Sequence, residues 1–147
     1  MSPERKYAPP SAIEKTFNRL FGMFAGLGLG PSYLYRLEVR GRTSGKLYSM
    51  AVCIVDLGGK QYLVAPRGRT QWAQNAEAAG EVILKRGRRR RFRVRALLDS
   101  EKPAVLQQYL AKLRGTVQRF FPIQPDAPLS AFADIASGYP VFELVPA

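Results

Sequence analysis

From residue 33 onward the chain alternates apolar and polar positions in short runs broken by glycines and charges. This period of two predicts strands over 34–39, 47–57, 60–65, 82–86, 89–98 and 139–145. Gly58-Gly59, set between two β-branched and aromatic runs, reads as a two-residue hairpin turn, because both residues tolerate positive φ. Gly87-Arg88 reads the same way. A helical period appears four times. Ser11 and Glu14 form a capping box ahead of Ile13, Phe17, Leu20, Phe21 and Phe24 on one face, and Gly22, Gly26, Gly28, Gly30 and Pro31 weaken and end that helix. Thr70 caps a short helix carrying Trp72, Asn75 and Ala76 and stopping at Gly80; Ser100 caps a longer one with Leu106, Tyr109, Leu110 and Leu113 that ends at Gly115. A last helix runs over 128–137. Sequential hairpins without helical crossovers argue for an antiparallel α+β or closed-barrel architecture.

At 147 residues the chain is the length of one domain, divided here into an N-terminal amphipathic helix and Gly-rich connection (1–32) and a sheet domain (33–147). Its 46% hydrophobic and 23% charged content is that of a folded globular protein. The single cysteine, Cys53, forms no internal disulfide, and the longest apolar or glycine run, Leu20 to Gly30, spans eleven residues, too short for a membrane-crossing helix. The N-terminus lacks a clear cleavage site and reads as mature protein. A cytoplasmic setting is expected, with a peripheral position at the inner face of the membrane as the further option. With no histidine and one cysteine, no metal centre is expected and the commonest general base is missing. The closest carboxylates, Glu77 with Glu81 and Asp99 with Glu101, suggest no paired acid and base. A bound cofactor is the expected source of chemistry.

Three constellations could hold one. Arg40-Gly41-Arg42-Thr43-Ser44-Gly45-Lys46 joins two strands with glycines, two hydroxyls and three cations, a set suited to an oxyanion. The spacing is not that of a Walker A loop, and a solvated hairpin turn is the bland alternative. Pro66-Arg67-Gly68-Arg69 enters a helix N-terminus just before Trp72, the only tryptophan, which reads equally as an anion site or as a core residue. Seven arginines lie between Arg86 and Arg95 in a chain of net charge +12. Arg89, Arg91, Arg93 and Arg95 share one strand face, opposite Phe92, Val94 and Ala96. This is a solvated sheet face, a hold for a polyanionic cofactor tail, or a surface for anionic lipid; a nucleic-acid partner is not expected, because stacking aromatics are missing.

The order of these motifs resembles the deazaflavin-dependent nitroreductase family, split β-barrels related to flavin-mononucleotide-binding oxidases. The resemblance runs from Gly41-Arg42-Thr43-Ser44-Gly45-Lys46 through Val64-Ala65-Pro66-Arg67-Gly68 and Trp72-Ala73-Gln74-Asn75 to Tyr139-Pro140-Val141-Phe142-Glu143-Leu144, covering about residues 33–147. It implies an α+β split antiparallel barrel of about six strands with flanking helices. It also implies hydride transfer from reduced coenzyme F-420 to an electron-poor small molecule such as a quinone, an enone or a nitroaromatic, with flavin mononucleotide (FMN) as the alternative cofactor. A non-catalytic lipid- or fatty-acid-binding member of the fold is the other alternative. By the same resemblance Arg42, Thr43, Ser44, Gly45 and Lys46 form the phosphate-binding loop, Tyr48 is a further cofactor-binding position, Ala65, Pro66, Arg67 and Gly68 lie beside the deazaflavin ring, and Trp72 and Asn75 belong to the helix that follows. Tyr139 is the proton-donor candidate, alongside water. Tyr48 stands where many members have Arg, Pro66 where nitroreductases have Ser, and Arg119-Phe120-Phe121-Pro122-Ile123 replaces a tyrosine-rich substrate region. The protein is expected to work as a monomer or homodimer.

Overall fold

Strand pairing follows from the length of the apolar run over 47–57, and a computed structural model describes the result for residues 27–28 and 31–147. The N-terminal capping box and its helix lie outside the described residues. The strand β2 (Leu47–Leu57) is long enough to serve two partners. Its first half pairs antiparallel with β1 (Leu34–Arg40), from Leu34 opposite Cys53 to Arg40 opposite Leu47. Its second half pairs with β3 (Lys60–Val64) through the turn at Gly58 and Gly59, whose φ angles of 60° and 78° favour glycine. The strands β4 (Glu81–Arg86), β5 (Arg88–Ala96) and β6 (Val141–Pro146) complete a closed antiparallel barrel in the order β1-β2-β3-β6-β5-β4, with β4 pairing back onto β1. The architecture is an α+β split barrel of six strands, with four α-helices among the described residues.

Alternation sends one set of side chains inward. Leu37, Val39, Val52, Ile54, Leu63, Val82, Leu84, Phe92, Phe142 and Leu144 fill the barrel. One end is closed by α1 (Gln71–Ala79), whose Ala73 and Ala76 are small enough to bring the helix backbone onto this interior. The start of α1 is fixed by Thr70, whose hydroxyl accepts the Ala73 N–H, and its end by Gly80 at φ 72°.

The outward face of β2, β3 and β6 is also apolar, and so requires a second layer. Val55, Val64 and Val141 are covered by α2 (Pro103–Lys112), α3 (Arg114–Val117) and α4 (Leu129–Ile135), through Val105, Leu106, Tyr109, Leu110, Val117 and Phe132. Each large side chain buried this way contributes about 1.5–3 kcal/mol.

Several boundaries differ from the sequence expectation. Gly87 alone, at φ 73°, makes the β4–β5 turn, so Arg88 already belongs to β5. Ser100 caps nothing: it sits inside a 3-10 turn over Asp99–Glu101, the Glu101 carboxylate accepts the Leu98 N–H at 2.9 Å, and α2 starts at Pro103, which needs no donor at a first helical position. The helix stops at Lys112 rather than at Gly115, and α3 with the 3-10 turn Gln118–Phe120 follows where no element was expected. Pro140 delays the last strand to Val141.

Candidate functional site

The loop between β1 and β2 folds back on itself before it meets α1. Gly41 N–H donates to Lys46 O at 2.7 Å and Gly45 N–H to Gly41 O at 3.0 Å, with Gly45 at φ 72°. The Ser44 hydroxyl accepts the Lys46 N–H at 3.2 Å and lies 3.4 Å from the Tyr48 hydroxyl. Gly41 is required by close approach: a Cβ there would lie 2.7 Å from Tyr48 Cε2 and 2.9 Å from Ser44 Oγ.

The loop is tied to α1 by one polar knot. Asn75, buried on the barrel-facing helix, accepts at Oδ1 from the Arg42 backbone N–H at 3.0 Å and from Arg42 Nη1 at 2.7 Å. Arg42 Nη2 donates to Gln71 Oε1 at 2.9 Å. Gln71 and Asn75 are one helical turn apart and therefore present both acceptors to the same guanidinium. Two of the five guanidinium N–H donors are used in these bonds.

Between loop and helix lies a cleft of about 350 Å³ lined by Gly41, Arg42, Thr43, Ser44, Tyr48, Met50, Gln71, Trp72 and Asn75. The backbone N–H groups of Thr43 and Ser44 have no acceptor among the described residues, and neither has the Lys46 ammonium. Trp72 is half-buried, its ring 6.4 Å from that of Phe142 in the barrel interior. Unpaired backbone donors, hydroxyls and a guanidinium fixed by acceptors form a donor set that fits a phosphate.

Of the residues singled out in the sequence, the cleft therefore brings together Arg42, Thr43, Ser44, Tyr48, Trp72 and Asn75. Gly45 and Lys46 stand in the same loop. Ala65, Pro66, Arg67 and Gly68 form a separate turn at the end of β3. There Ala65 N–H donates to Pro140 O at 2.9 Å and Gly68, at φ 95°, donates to Ala65 O at 3.2 Å. The Arg67 guanidinium lies 4.8 Å from the centre of the Phe120 ring and that of Arg119 4.6 Å from it, two cations on one aromatic. Tyr139 is buried, stacked on Phe121 at 4.5 Å, and its hydroxyl donates to the Phe120 carbonyl. Sequence reading missed Gln71 and Met50. The i, i+4 spacing of Gln71 to Asn75 was the available signal for the first; nothing marked the second.

Other reactive groups lie elsewhere. Burial pushes the Cys53 thiol up to about 11, which leaves it protonated at neutral pH. Lys102, also buried, donates to Asp99 Oδ1 at 2.8 Å and to Ala136 O at 3.1 Å beside a smaller cleft of about 190 Å³ on the Glu77 side of α1. Among the described residues no group of three or more His, Cys, Asp or Glu side chains is placed to hold a metal ion, and no helix is long and apolar enough to cross a membrane.

No protein-family model matches this chain, and no curated protein matches it. Solved structures do. A protein of unknown function from Agrobacterium tumefaciens superposes at a TM-score of 0.55 with 16% identity, over 96% of this chain and 57% of that one, so this chain spans little more than half of that protein's length. A reductase dependent on reduced F420 superposes at 0.51 with 17% identity, over 77% of this chain and 94% of the reductase. An FAD-binding protein from Mesorhizobium loti gives 0.51 and 15%, over 94% of this chain and 91% of that one. At these identities the likeness is one of fold: the chain has the split barrel of these solved structures.

Proposed function

We propose that this chain is a reductase that binds the phosphate-bearing cofactor F-420 in the cleft between the β1–β2 loop and α1. The observation that carries this reading is the convergence there of unpaired Thr43 and Ser44 N–H groups, a fixed Arg42 and the only tryptophan. The fold shared with an F420-dependent reductase supports it.

When bound, the reduced deazaflavin supplies a hydride to an electron-poor acceptor such as a quinone, an enone or a nitroaromatic. The residues of this chain bind and orient. Thr43 and Ser44 would donate backbone and hydroxyl hydrogen bonds to the phosphate, Lys46 would neutralise its charge, and Arg42, with two donors held on Asn75 and Gln71, has further N–H groups that could serve the anion. The Ala65 to Gly68 turn, at the end of β3, would border the ring of a bound cofactor, and Trp72 walls the cleft against the barrel. The Tyr139 hydroxyl hydrogen is held by the Phe120 carbonyl, so water delivers the proton that completes reduction of the acceptor, and Tyr139 acts by presenting the Phe120 segment.

The test is a titration of the protein with F-420 and, in parallel, with FMN, followed by quenching of Trp72 fluorescence. Micromolar binding of F-420 that weakens about tenfold in Lys46→Ala, the loss of one charge-assisted contact, is the expected result. Tighter binding of FMN would reassign the cofactor. Binding of neither, or F-420 affinity unchanged in both Lys46→Ala and Arg42→Ala, would overturn the site.

A further inference from the structure

The densest charge in the molecule lies away from the cleft. The cleft loop follows the last residue of β1, whereas the β4–β5 hairpin tip lies at the start of β1, where Arg86 Nη1 donates to Leu34 O at 2.8 Å. Strand register places Arg36, Lys85 and Arg89 in one row across β1, β4 and β5, all on the outward face. Arg91 and Arg93 extend this face along β5, and Arg88 and Arg90 occupy the other side of the strand near the tip, all four exposed. Among the described residues one carboxylate serves the row, Glu38, which Arg89 contacts at 2.9 Å and Arg36 at 3.9 Å. Lys85, Arg88, Arg90, Arg91 and Arg93 form no ion pair there, although Glu81 stands opposite Arg93 across β4 and β5. Cations opposite one another on neighbouring strands repel, so the bare fold gains nothing from Lys85 facing Arg89.

We propose that this face, together with the hairpin tip that carries Arg88 and Arg90, is a docking surface for an anionic phospholipid bilayer. Charge complementarity is the first argument: a row of arginines on a rigid sheet meets a negative surface potential with each guanidinium contributing separately. The second is an exposed apolar residue beside it, which an apolar run precedes in sequence. Gly28 packs at the hairpin tip, where a Cβ would lie 3.5 Å from Gly87 N, and its neighbour Leu27 is 66% exposed. In sequence, Phe24, Phe21, Leu20 and Phe17 precede it, interspersed with Arg19 and Lys15. Basic charge next to apolar side chains is the combination that interfacial binding uses. The third argument separates lipid from nucleic acid. Base stacking needs exposed rings, and the single aromatic on β4 and β5, Phe92, is buried beneath Arg90 at 5.2 Å. This surface is independent of the cofactor reading, because none of its residues lines the cleft.

The experiment is co-sedimentation of the full chain with mixed phosphatidylglycerol and phosphatidylcholine vesicles, against pure phosphatidylcholine and against a labelled oligonucleotide. Binding to the anionic vesicles alone is expected, falling steeply with salt. Replacing Arg88, Arg90, Arg91 and Arg93 by Gln should lower the partition coefficient by on the order of 100-fold, roughly fivefold or less per cation, with the thermal melting midpoint kept as the fold control. If that variant fails to fold, Arg88→Gln/Arg91→Gln tests the same step at a loss of about 10-fold or more. No sedimentation with anionic vesicles, equal sedimentation with neutral ones, or undiminished binding by folded variants would overturn the proposal. Salt-sensitive retention of the oligonucleotide without vesicle binding would also overturn it and assign the face to nucleic acid.

Discussion

The β1–β2 loop and the β4–β5 hairpin are both glycine turns rich in cations, at opposite ends of the same strand, yet they are built differently. In the loop several side chains are placed by another group, Arg42 by Asn75 and Gln71, Ser44 by the Lys46 N–H and Arg40 Nη1 by the Gly45 carbonyl at 3.2 Å, and the open Thr43 and Ser44 N–H donors sit on that fixed frame. In the hairpin the charges are more numerous and mostly unanchored, with Glu38 as the one internal counterion of the row. Fixed donors at a few positions define a site for one ligand in one orientation, because their ordering entropy is already spent in the fold. Unfixed charges at high density define a surface that favours anions without selecting their shape.

The largest effect should come from breaking the knot that organises the loop. Asn75→Leu removes the acceptor for two Arg42 donors and leaves a part-buried backbone N–H without a partner, at a cost of about 1–3 kcal/mol in stability. Cofactor affinity should fall further than in Lys46→Ala, by about 100-fold, since the loop geometry and not one contact is lost. Chemical denaturation and the Trp72 titration measure the two effects. A variant of normal affinity would show that the loop holds its shape without α1. Gly41→Ala is the milder form of the same test: its Cβ must displace the Tyr48 ring and Ser44, and a tenfold loss of affinity with little change in stability is expected.

The hairpin should respond in the opposite sense. Glu38→Gln keeps size and burial but deletes the counterion of Arg89 and Arg36, which should destabilise the fold by about 1–3 kcal/mol, an effect that added salt partly reverses. Affinity in the cleft should not change. Melting midpoints at low and high salt check this, and a salt-independent loss would mean that Glu38 acts by packing rather than by charge.

These differences also explain what could be read in the sequence. The barrel was legible because β1 alternates in part, β2 and β4 are apolar, β-branched runs of strand length, and Gly58, Gly59, Gly80 and Gly87 sit where positive φ is needed. The cleft residues on the loop and on α1 were legible from a motif with local turn chemistry. What was not legible depends on distance in sequence. Nothing near Asn75 announces that it will accept from a loop 33 residues earlier, and the i, i+4 spacing of Gln71 to Asn75 points to a shared ligand only once Arg42 is seen between them. Likewise Ser100 looked like a helix cap because its type and spacing fit. The cap was displaced because Pro103 offers a better first position and Glu101 is drawn to the Leu98 N–H and to Arg95. Arg119-Phe120 carries no secondary-structure signal at all; its place is set by Tyr139 and Arg67 from other elements.

The smallest effect separates the one β5 arginine that is anchored from those that are not. Arg95 donates to Glu101 at 3.1 Å and to Glu143 at 2.9 Å, linking β5, β6 and the turn before α2. The Arg95 guanidinium, then the Leu98 N–H, holds the Glu101 carboxyl below its ordinary value of 4.5. A depressed carboxyl binds fewer protons folded than unfolded, so its contribution is complete above that value and is lost as pH falls through and below it. The bridge is solvent-exposed and its contribution is small. Melting of the wild type and of Arg95→Gln should therefore differ slightly at neutral pH and converge toward pH 3, whereas Arg91→Gln, which has no carboxylate partner among the described residues, should track the wild type across the whole range. A gap between wild type and Arg95→Gln that persists at low pH would mean that Arg95 stabilises the strand by its stem rather than by its charge, and the distinction between anchored and unanchored arginines on β5 would fail.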